Sequence, residues 1–375
     1  MNKEYAKNIM AQIVARTEKN AAEIGVASPH VERDGKFDRT NFWEWTSGFW
    51  PGLLWEAYRR SKNEKLLEIA RGCGDKIHSM NESDFFHLHH DVGFMWHLSS
   101  VRDYEITGDK NAANRAVLAA NLLAGRYNPA GKFIRAWGTA PECSSTTGWA
   151  IIDCSMNLSL LYWASEYTGD MRYANIATNH ADTVVEHFIR PDGSSRHICS
   201  FDQVTGEFLT AVGGQGNDPD SAWSRGNAWA IYGMALTYRH TGDVKYLDAA
   251  KRVAHYFIAN LPDDYVCHWD FRVERNVDTP RDTSAAAIAA CGFLEIARHV
   301  PECEKFVYRN AAEKVLTSLY KNYSNFDDEN CQSILNGATG HCPANYNVNV
   351  GIIYGDYYFA RAIGEISENV DYPWM

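Results

Sequence analysis

Asp91 and Asp153 are carboxyl groups in unusual local settings, and each is a candidate for proton chemistry. Asp153 lies in Thr147-Gly-Trp-Ala-Ile-Ile-Asp-Cys-Ser-Met-Asn157. Ile152, Met156, Leu160 and Trp163 form an apolar stripe at helical spacing, and Asp153 sits beside it in the first turns. Ser144, Ser145, Thr146 and Thr147 are better helix caps upstream, so Asp153 has no obvious capping task. Among Ile151, Ile152 and Cys154 a carboxyl group loses hydration and its pKa rises, which suits a proton donor. The helix dipole pushes the other way, and a structural Asp satisfied by a partner is the competing reading. Asp91 ends the crowded run His87-Leu-His-His-Asp91, in front of Val-Gly-Phe-Met-Trp96. Here a carboxylate tuned by its neighbours competes with a simple N-cap of a helix beginning at Val92. A metal site is not expected, because His89 and His90 are adjacent and predicted to point apart, and no second cluster has ligand spacing.

A third segment, Gly213-Gly-Gln-Gly-Asn-Asp-Pro-Asp-Ser-Ala-Trp-Ser-Arg-Gly-Asn-Ala-Trp229, runs from a polar loop into an aromatic helix. It lacks the spacing of a phosphate loop. Arg225 falls where loop becomes helix, and its guanidinium is suited to a two-pronged grip on a substrate carboxylate. The alternative is an ion pair with Asp218 or Asp220. Trp45, Trp137, His197 and Trp269-Asp-Phe271 are further loop candidates for contacting a ligand.

The elements that must position these residues are helices. Tyr104-Glu-Ile-Thr-Gly-Asp109, Tyr167-Thr-Gly-Asp170 and Tyr238-Arg-His-Thr-Gly-Asp243 repeat one pattern, with a degenerate copy at Tyr58-Arg-Arg-Ser-Lys-Asn63. Each copy closes one apolar helical stretch and opens another. The Gly reads as a helix C-cap and the Asp as the N-cap of the next helix. The copies lie too far apart for the common solenoids, so the unit is a helix hairpin with variable loops at its other end. Closure of such hairpins into a double ring of about twelve helices is the expected architecture. Short β pieces are expected at Ser195–Phe201 and Tyr265–Phe271. Another helix is expected to start at Tyr354-Gly-Asp-Tyr-Tyr-Phe359. No linker or low-complexity tract divides the 375 residues, which read as a single domain, 1–375.

Composition narrows the partners. Twelve Trp and twenty Tyr supply flat rings with an apolar face, which suit stacking on sugars, although a core rich in large residues is the plainer reading for any one of them. A net charge of −11 argues against nucleic acid or an anionic membrane as partner. It does not exclude an acidic ligand held by a local field. The nine cysteines are odd in number and form no C-x-x-C, as for free thiols in a reducing compartment. The charged first residues contain no apolar core, and no apolar run approaches a membrane span. A cytoplasmic protein, monomeric or weakly homo-oligomeric, is expected.

Together the segments resemble the unsaturated glucuronyl hydrolases of glycoside hydrolase family 88. The resemblance runs from Trp45-Thr-Ser-Gly-Phe-Trp50 to Tyr354-Gly-Asp-Tyr-Tyr358. Its most specific parts are His89-His-Asp-Val-Gly-Phe94, Ile151-Ile-Asp-Cys154, Trp223-Ser-Arg-Gly-Asn-Ala-Trp229 and Arg281-Asp-Thr-Ser-Ala285, in that order. It implies an all-α (α/α)6 barrel with the site at one mouth. It implies no metal or organic cofactor. The implied substrate is an oligosaccharide ending in the 4,5-unsaturated uronate that polysaccharide lyases leave, and the implied reaction is hydration of its C4=C5 vinyl ether. Asp153 matches the proton donor and Asp91 the second carboxylate. His197, Gln215 and Arg225 match residues contacting the reacting ring or its carboxylate, and Trp45, Trp137 and Trp229 match aromatics lining the pocket. The chain has no Lys or Arg between Lys321 and Arg361, where some relatives hold a sulfate. Arg275, Arg281 or a backbone nest would have to substitute. Two other readings stand beside this one: an unsaturated rhamnogalacturonyl hydrolase of family 105 acting on pectin fragments, and a non-catalytic carbohydrate-binding barrel.

Overall fold

The computed structural model describes residues 1–138 and 140–368. Twelve helices form among them. They are α1 (Lys3–Ile24), α2 (Phe49–Ser61), α3 (Glu64–Ser83), α4 (92–107, with a π turn at His97–Val101), α5 (Lys110–Ala124) and α6 (Cys154–Thr168). Then come α7 (171–188, ending in a π turn), α8 (Ser224–Thr241), α9 (Val244–Ala259), α10 (Thr283–His299), α11 (Glu302–Tyr323) and α12 (Ile353–Glu368).

Burial sorts them into two rings. The odd-numbered helices are amphipathic. In α9 only Tyr246, Leu247, Ala249, Ala250, Val253, Ala254 and Phe257 are buried, one stripe at helical spacing. The even-numbered helices are covered nearly all round. In α10 every residue from Thr283 to Ala297 is buried. Such a helix must have neighbours on all sides, so it belongs inside. The inner ring closes on itself. Phe49 of α2 meets Phe94 of α4 at 5.5 Å between ring centroids, and Ser155 of α6 donates to the Trp229 carbonyl of α8 at 3.1 Å. A Cβ on Gly292 of α10 would lie 2.7 Å from Ile231 of α8, so these two helices touch at backbone distance. Cys291 of α10 reaches the Tyr358 carbonyl of α12 at 3.3 Å, and Tyr357 of α12 returns to Phe49 at 5.6 Å. The double ring expected from the repeat is therefore what forms.

The repeated turns behave as their residues dictate. Gly108, Gly169 and Gly242 end α4, α6 and α8 at φ of 76°, 75° and 68°. Asp109, Asp170 and Asp243 then cap α5, α7 and α9 by accepting from the second backbone N–H beyond, at 2.8, 2.9 and 3.1 Å. In the degenerate copy Lys62 takes the left-handed position at φ 56°, and Asn63 caps α3.

Every inner helix runs in the same sense, so the regular turns lie at one end of the barrel and the inner N-termini at the other. Short strands decorate the N-terminal end: β1 (Glu32–Arg33) with β2 (Lys36–Phe37), β3 (Tyr127–Asn128) with β4 (Phe133–Ile134), β5 (Trp149–Ile151) with β6 (Ile198–Phe201) and β7 (Phe208–Val212), and β8 (Ala338–His341) with β9 (Tyr346–Val350). The strand expected within Ser195–Phe201 is β6. The one expected at Tyr265–Phe271 is reduced to isolated bridges, His268 to Arg281 and Asp270 to Trp223. It has no flat partner strand to pair with. Instead the buried Asp270 carboxylate accepts from the backbone of Asn217, Ala222 and Arg272, and Trp269 and Phe271 enter the core.

Nothing lies within 4 Å of a Cβ placed on Gly169, so its requirement is conformational alone. Gly169→Ala should lower unfolding free energy by about 1 kcal/mol in denaturant titrations. Activity should be untouched, because α6 separates this turn from Asp153 by about 24 Å.

Candidate active site

Asp91, Asp153 and Arg225 sit at the starts of α4, α6 and α8, and Tyr354 at the start of α12, all on the loop-bearing end. Each inner helix presents there the equivalent of about half a positive charge, so six N-termini make this mouth attractive to an anion.

Asp153 is placed by strand pairing. Ile151 of β5 is in register with Ile198 of β6, and the Ile152 N–H donates to the His197 carbonyl at 3.0 Å. That brings His197 beside the next residue, Asp153, with Nε2 3.8 Å from Oδ2. Asp153 makes no side-chain cap hydrogen bond, and its buried Oδ2 has no hydrogen-bond partner among the described residues. Burial pushes its pKa up to about 7, and the nearby negative Asp91 adds to the shift. The competing reading of Asp153 as a partner-satisfied structural residue does not hold.

Asp91 is the opposite case. It too makes no cap hydrogen bond, so the simple N-cap reading fails. Its Oδ2 lies 3.4 Å from His89 Nδ1 and 3.3 Å from His90 Nε2, and its Oδ1 accepts from Asn157 Nδ2 at 2.9 Å. Burial works to raise its pKa, but these neighbours outweigh it and hold the carboxyl below its ordinary value. The expectation that His89 and His90 point apart is corrected. The chain bends between helix and loop at Leu88, so both rings turn to one carboxylate.

His197 accepts from the Gln215 N–H at Nδ1, 2.9 Å away. The Gly213 carbonyl lies 3.2 Å from the same Nδ1, so two backbone groups hold the ring with Nε2 turned toward Asp153. The ring is neutral, its pKa lowered by burial to about 3. Gly214 makes the approach possible. It sits at φ 58°, and a Cβ there would lie 2.2 Å from His197 Nδ1.

Arg225 is anchored more firmly than its sequence neighbours indicate. Its ion-pair partner is Asp282 at 2.6 Å, not Asp218 or Asp220, and both side chains are buried. Nη1 also donates to the Thr339 carbonyl, and Nη2 donates to Gln215 Oε1 and the Gly340 carbonyl, each at 2.6 Å. All four Nη hydrogens are thus engaged. The free two-pronged grip expected of Arg225 is corrected: loop carbonyls and Asp282 already fill the fork. Trp223 and Tyr354 cover its faces at 4.5 and 5.5 Å.

The aromatic candidates separate into two groups. Trp45, half-buried, packs on Tyr354 at 5.0 Å and Phe94 at 5.6 Å. Trp137 meets Trp149 at 5.3 Å and rests on the small cluster of Ala136, Ile151 and Ile198 under the β5–β6 pair. Its carbonyl is clamped by Arg126. Trp229 is the exception. It is fully buried against Phe94 and Tyr358 and forms floor beneath the site, so its expected place among the lining aromatics is corrected. The second turn of an inner helix lies below the mouth, where neighbours close over it.

Contacts therefore link Asp91, Asp153, His197, Gln215, Arg225 and Trp45 into one continuous site. Asn157, Trp223, Asp282 and Tyr354 belong to it and were not singled out from the sequence. Asn157 stands one helical turn after Asp153, a spacing that was a usable signal. Asp282 caps α10, accepting from the Ser284 and Ala285 N–H groups. Its second task, 57 positions away on Arg225, leaves no local trace.

Comparison with known proteins decides what kind of protein carries this site. The model of Glycosyl Hydrolase Family 88 matches residues 17–368. The chain belongs to glycoside hydrolase family 88. Family 88 relatives span nearly its whole length. The unsaturated glucuronyl hydrolase of Bacillus sp. (strain GL1) is 36% identical over 366 residues, 96% of each chain. The unsaturated chondroitin disaccharide hydrolase of Streptococcus pneumoniae (strain ATCC BAA-255 / R6) is 38% identical over 339 residues, 88% of this chain and 84% of that one. The crystal structure of the Bacillus sp. GL1 enzyme, responsible for the degradation of glycosaminoglycan, superposes with a TM-score of 0.93 at 34% identity over 97% of each chain. A variant of the Streptococcus agalactiae unsaturated glucuronyl hydrolase, complexed with dGlcA-GalNAc6S, superposes at 0.87 with 31% identity, covering all of this chain and 94% of that one. The protein is accordingly an enzyme, a glycosidase with the (α/α)6 barrel of its family, and the non-catalytic alternative falls away.

The raised pKa of Asp153 has a measurable sign. Folding retains its proton above the ordinary aspartate range, where the unfolded chain releases it. Stability from this group is full below about pH 4 and is lost as pH rises through about 7. Asp153→Asn should therefore raise the thermal midpoint relative to wild type near pH 8, with the gain vanishing toward pH 4, as followed by calorimetry.

Proposed function

We propose that this family 88 enzyme removes the 4,5-unsaturated uronic acid from the non-reducing end of glycosaminoglycan oligosaccharides by hydrating the C4=C5 bond. The observation that carries the proposal is the opposed state of two neighbouring carboxyl groups, Asp153 protonated near neutrality and Asp91 ionised. Relatives named as unsaturated glucuronyl and chondroitin disaccharide hydrolases supply the substrate class.

Asp153 delivers its proton to C4. Positive charge develops at C5 and the ring oxygen, and Asp91 stabilises it or positions the sugar. Water adds at C5, and the Asp153 carboxylate takes its proton. The C5 hemiketal opens to a ketone, leaving a hemiacetal at C1 that releases the next sugar. The aromatic surfaces of Trp45 and Trp137 are placed to stack on sugar rings. With the Nη fork of Arg225 occupied, the uronate carboxylate is held by the helix N-termini and by Gln215, whose Oε1 is fixed on Arg225 and whose Nε2 remains a donor. Because the anomeric carbon is not the first centre attacked, carboxylate separation says nothing here about retention or inversion.

Sulfate recognition needs a separate donor. Arg281 is turned to the Val266 carbonyl and Asp264, and Arg275 to Asn260 and Phe271, so neither takes the place proposed for it. The fold instead brings the exposed Arg33 from β1 to Asn347 of β9 at 2.6 Å, which puts a cation beside the uncharged C-terminal hairpin. A cytoplasmic location belongs to the same proposal and rests on nine unpaired cysteines; among the described residues no helix is long and apolar enough to cross a membrane.

The conjugated C4=C5 bond absorbs in the ultraviolet, and hydration abolishes the band. Purified protein should bleach unsaturated chondroitin, hyaluronan or heparin disaccharides. Asp153→Asn should lower kcat on the order of a thousandfold while still binding the sugar. Persistence of absorbance with all three, and with unsaturated rhamnogalacturonan fragments, would overturn the proposal. Activity should fall as pH rises through about 7, where Asp153 loses its proton.

A further inference from the structure

One buried amide touches both carboxylate-bearing residues. Asn157 is fully buried on the first turn of α6. Its Nδ2 donates to Asp91 Oδ1 at 2.9 Å and to the Asp153 carbonyl at 3.3 Å. Its Oδ1 accepts from the Phe94 N–H at 2.8 Å. The Phe94 N–H can only donate, so the amide cannot turn over without facing a donor with a donor. Both hydrogens of Nδ2 are thereby committed, and Asp91 Oδ1 must offer a lone pair. A donor held on Oδ1 binds the carboxylate more strongly than the neutral acid and so favours the ionised form of Asp91.

Backbone packing holds the arrangement. A Cβ on Gly93 would fall 2.4 Å from Asn157 Oδ1 and 2.6 Å from its Cα, so the N-termini of α4 and α6 interlock at a position only glycine fills. The other groups facing Asp91 are His89 and His90 from its own loop, Arg126 from the end of α5, and Asp153 and Cys154 from the start of α6. Asp153 faces Asp91, His90, His197, Arg225 and Tyr354. Oδ1 of Asp91 is given a direct side-chain hydrogen bond by Asn157.

We infer that Asn157 is a positioning residue that, together with His89 and His90, keeps Asp91 ionised and ties it to the backbone of Asp153, so that one carboxyl group donates the proton while its neighbour carries the charge. The inference rests on the proposed roles of those two aspartates. A residue that merely filled space and satisfied itself would affect stability and leave the titration of Asp91 unchanged.

The two readings separate in a pH profile. Asn157→Leu is close in shape and removes both the donor and the acceptor; Asn157→Ala is milder and leaves room for water. The readout is kcat/KM against pH on the unsaturated disaccharide that the wild type bleaches, with the thermal midpoint measured alongside. The acid limb of Asn157→Leu should move up by about one pH unit, so that kcat/KM well down that limb falls by up to about tenfold while the value at neutral pH is little changed. KM should change by less than about threefold. Asn157→Ala should move the limb the same way by less, and stands as the test if the leucine variant does not fold. Folded variants whose acid limb coincides with wild type would overturn the inference. Failure of the underlying reading shows itself differently: full activity in Asp91→Asn, or a wild type inactive on every unsaturated sugar.

Discussion

Two carboxyl groups share one buried mouth, and ionising both there is what the structure must avoid. Burial raises the pKa of each, and each negative charge would raise the other further. A unit of pKa is about 1.4 kcal/mol, so the separation between the two groups represents a substantial free-energy difference. It is not achieved by unequal burial, because both side chains are largely covered, 10% exposed for Asp91 and 15% for Asp153. Unequal company achieves it. Asp91 has two imidazoles and an amide on its oxygens, whereas Asp153 Oδ2 has no hydrogen-bond partner among the described residues.

The barrel makes that asymmetry available. Inner helices covered on all sides close into a ring and send their N-termini to a single face. That face receives the long, irregular connections, while the other receives short turns built from one repeated pattern. Function and stability are thus placed at opposite ends of the same helices. A residue at the start of α6 titrates, and a glycine at its end only sets the backbone.

Arg225 shows how the same end handles charge in an acidic protein. Its buried pair with Asp282 is expensive to break, by about 3–5 kcal/mol in comparable pairs, because one charge would be left without a partner. The pair also ties the first turn of α8 to that of α10 and, through Thr339 and Gly340, to the C-terminal hairpin. The guanidinium therefore acts as a structural centre around which Gln215, Trp223 and Tyr354 are arranged. Attraction for an anionic sugar then comes from oriented backbone dipoles and neutral donors, and a net charge of −11 is no obstacle to it.

Much of this was legible in the amino-acid sequence, and the division follows range. The hairpin turns needed only local rules: a glycine that tolerates positive φ and an aspartate that caps the next helix, both within a few residues. The resemblance carried by four short motifs placed Asp91 and Asp153 and named the fold. Interactions between distant segments were not legible, since they leave no spacing and no cap. The partner of Arg225, the convergence of His89 and His90, the interlock of Gly93 with Asn157 and the burial of Trp229 all required the ring to close. The sequence by itself determined that helical hairpins form and which carboxyl groups they carry. The raised pKa of Asp153 was foreshadowed by its apolar neighbours in sequence, but only the tertiary structure decided that Asp91 stays ionised beside it, because that depends on the imidazoles and the amide that folding brings onto its oxygens.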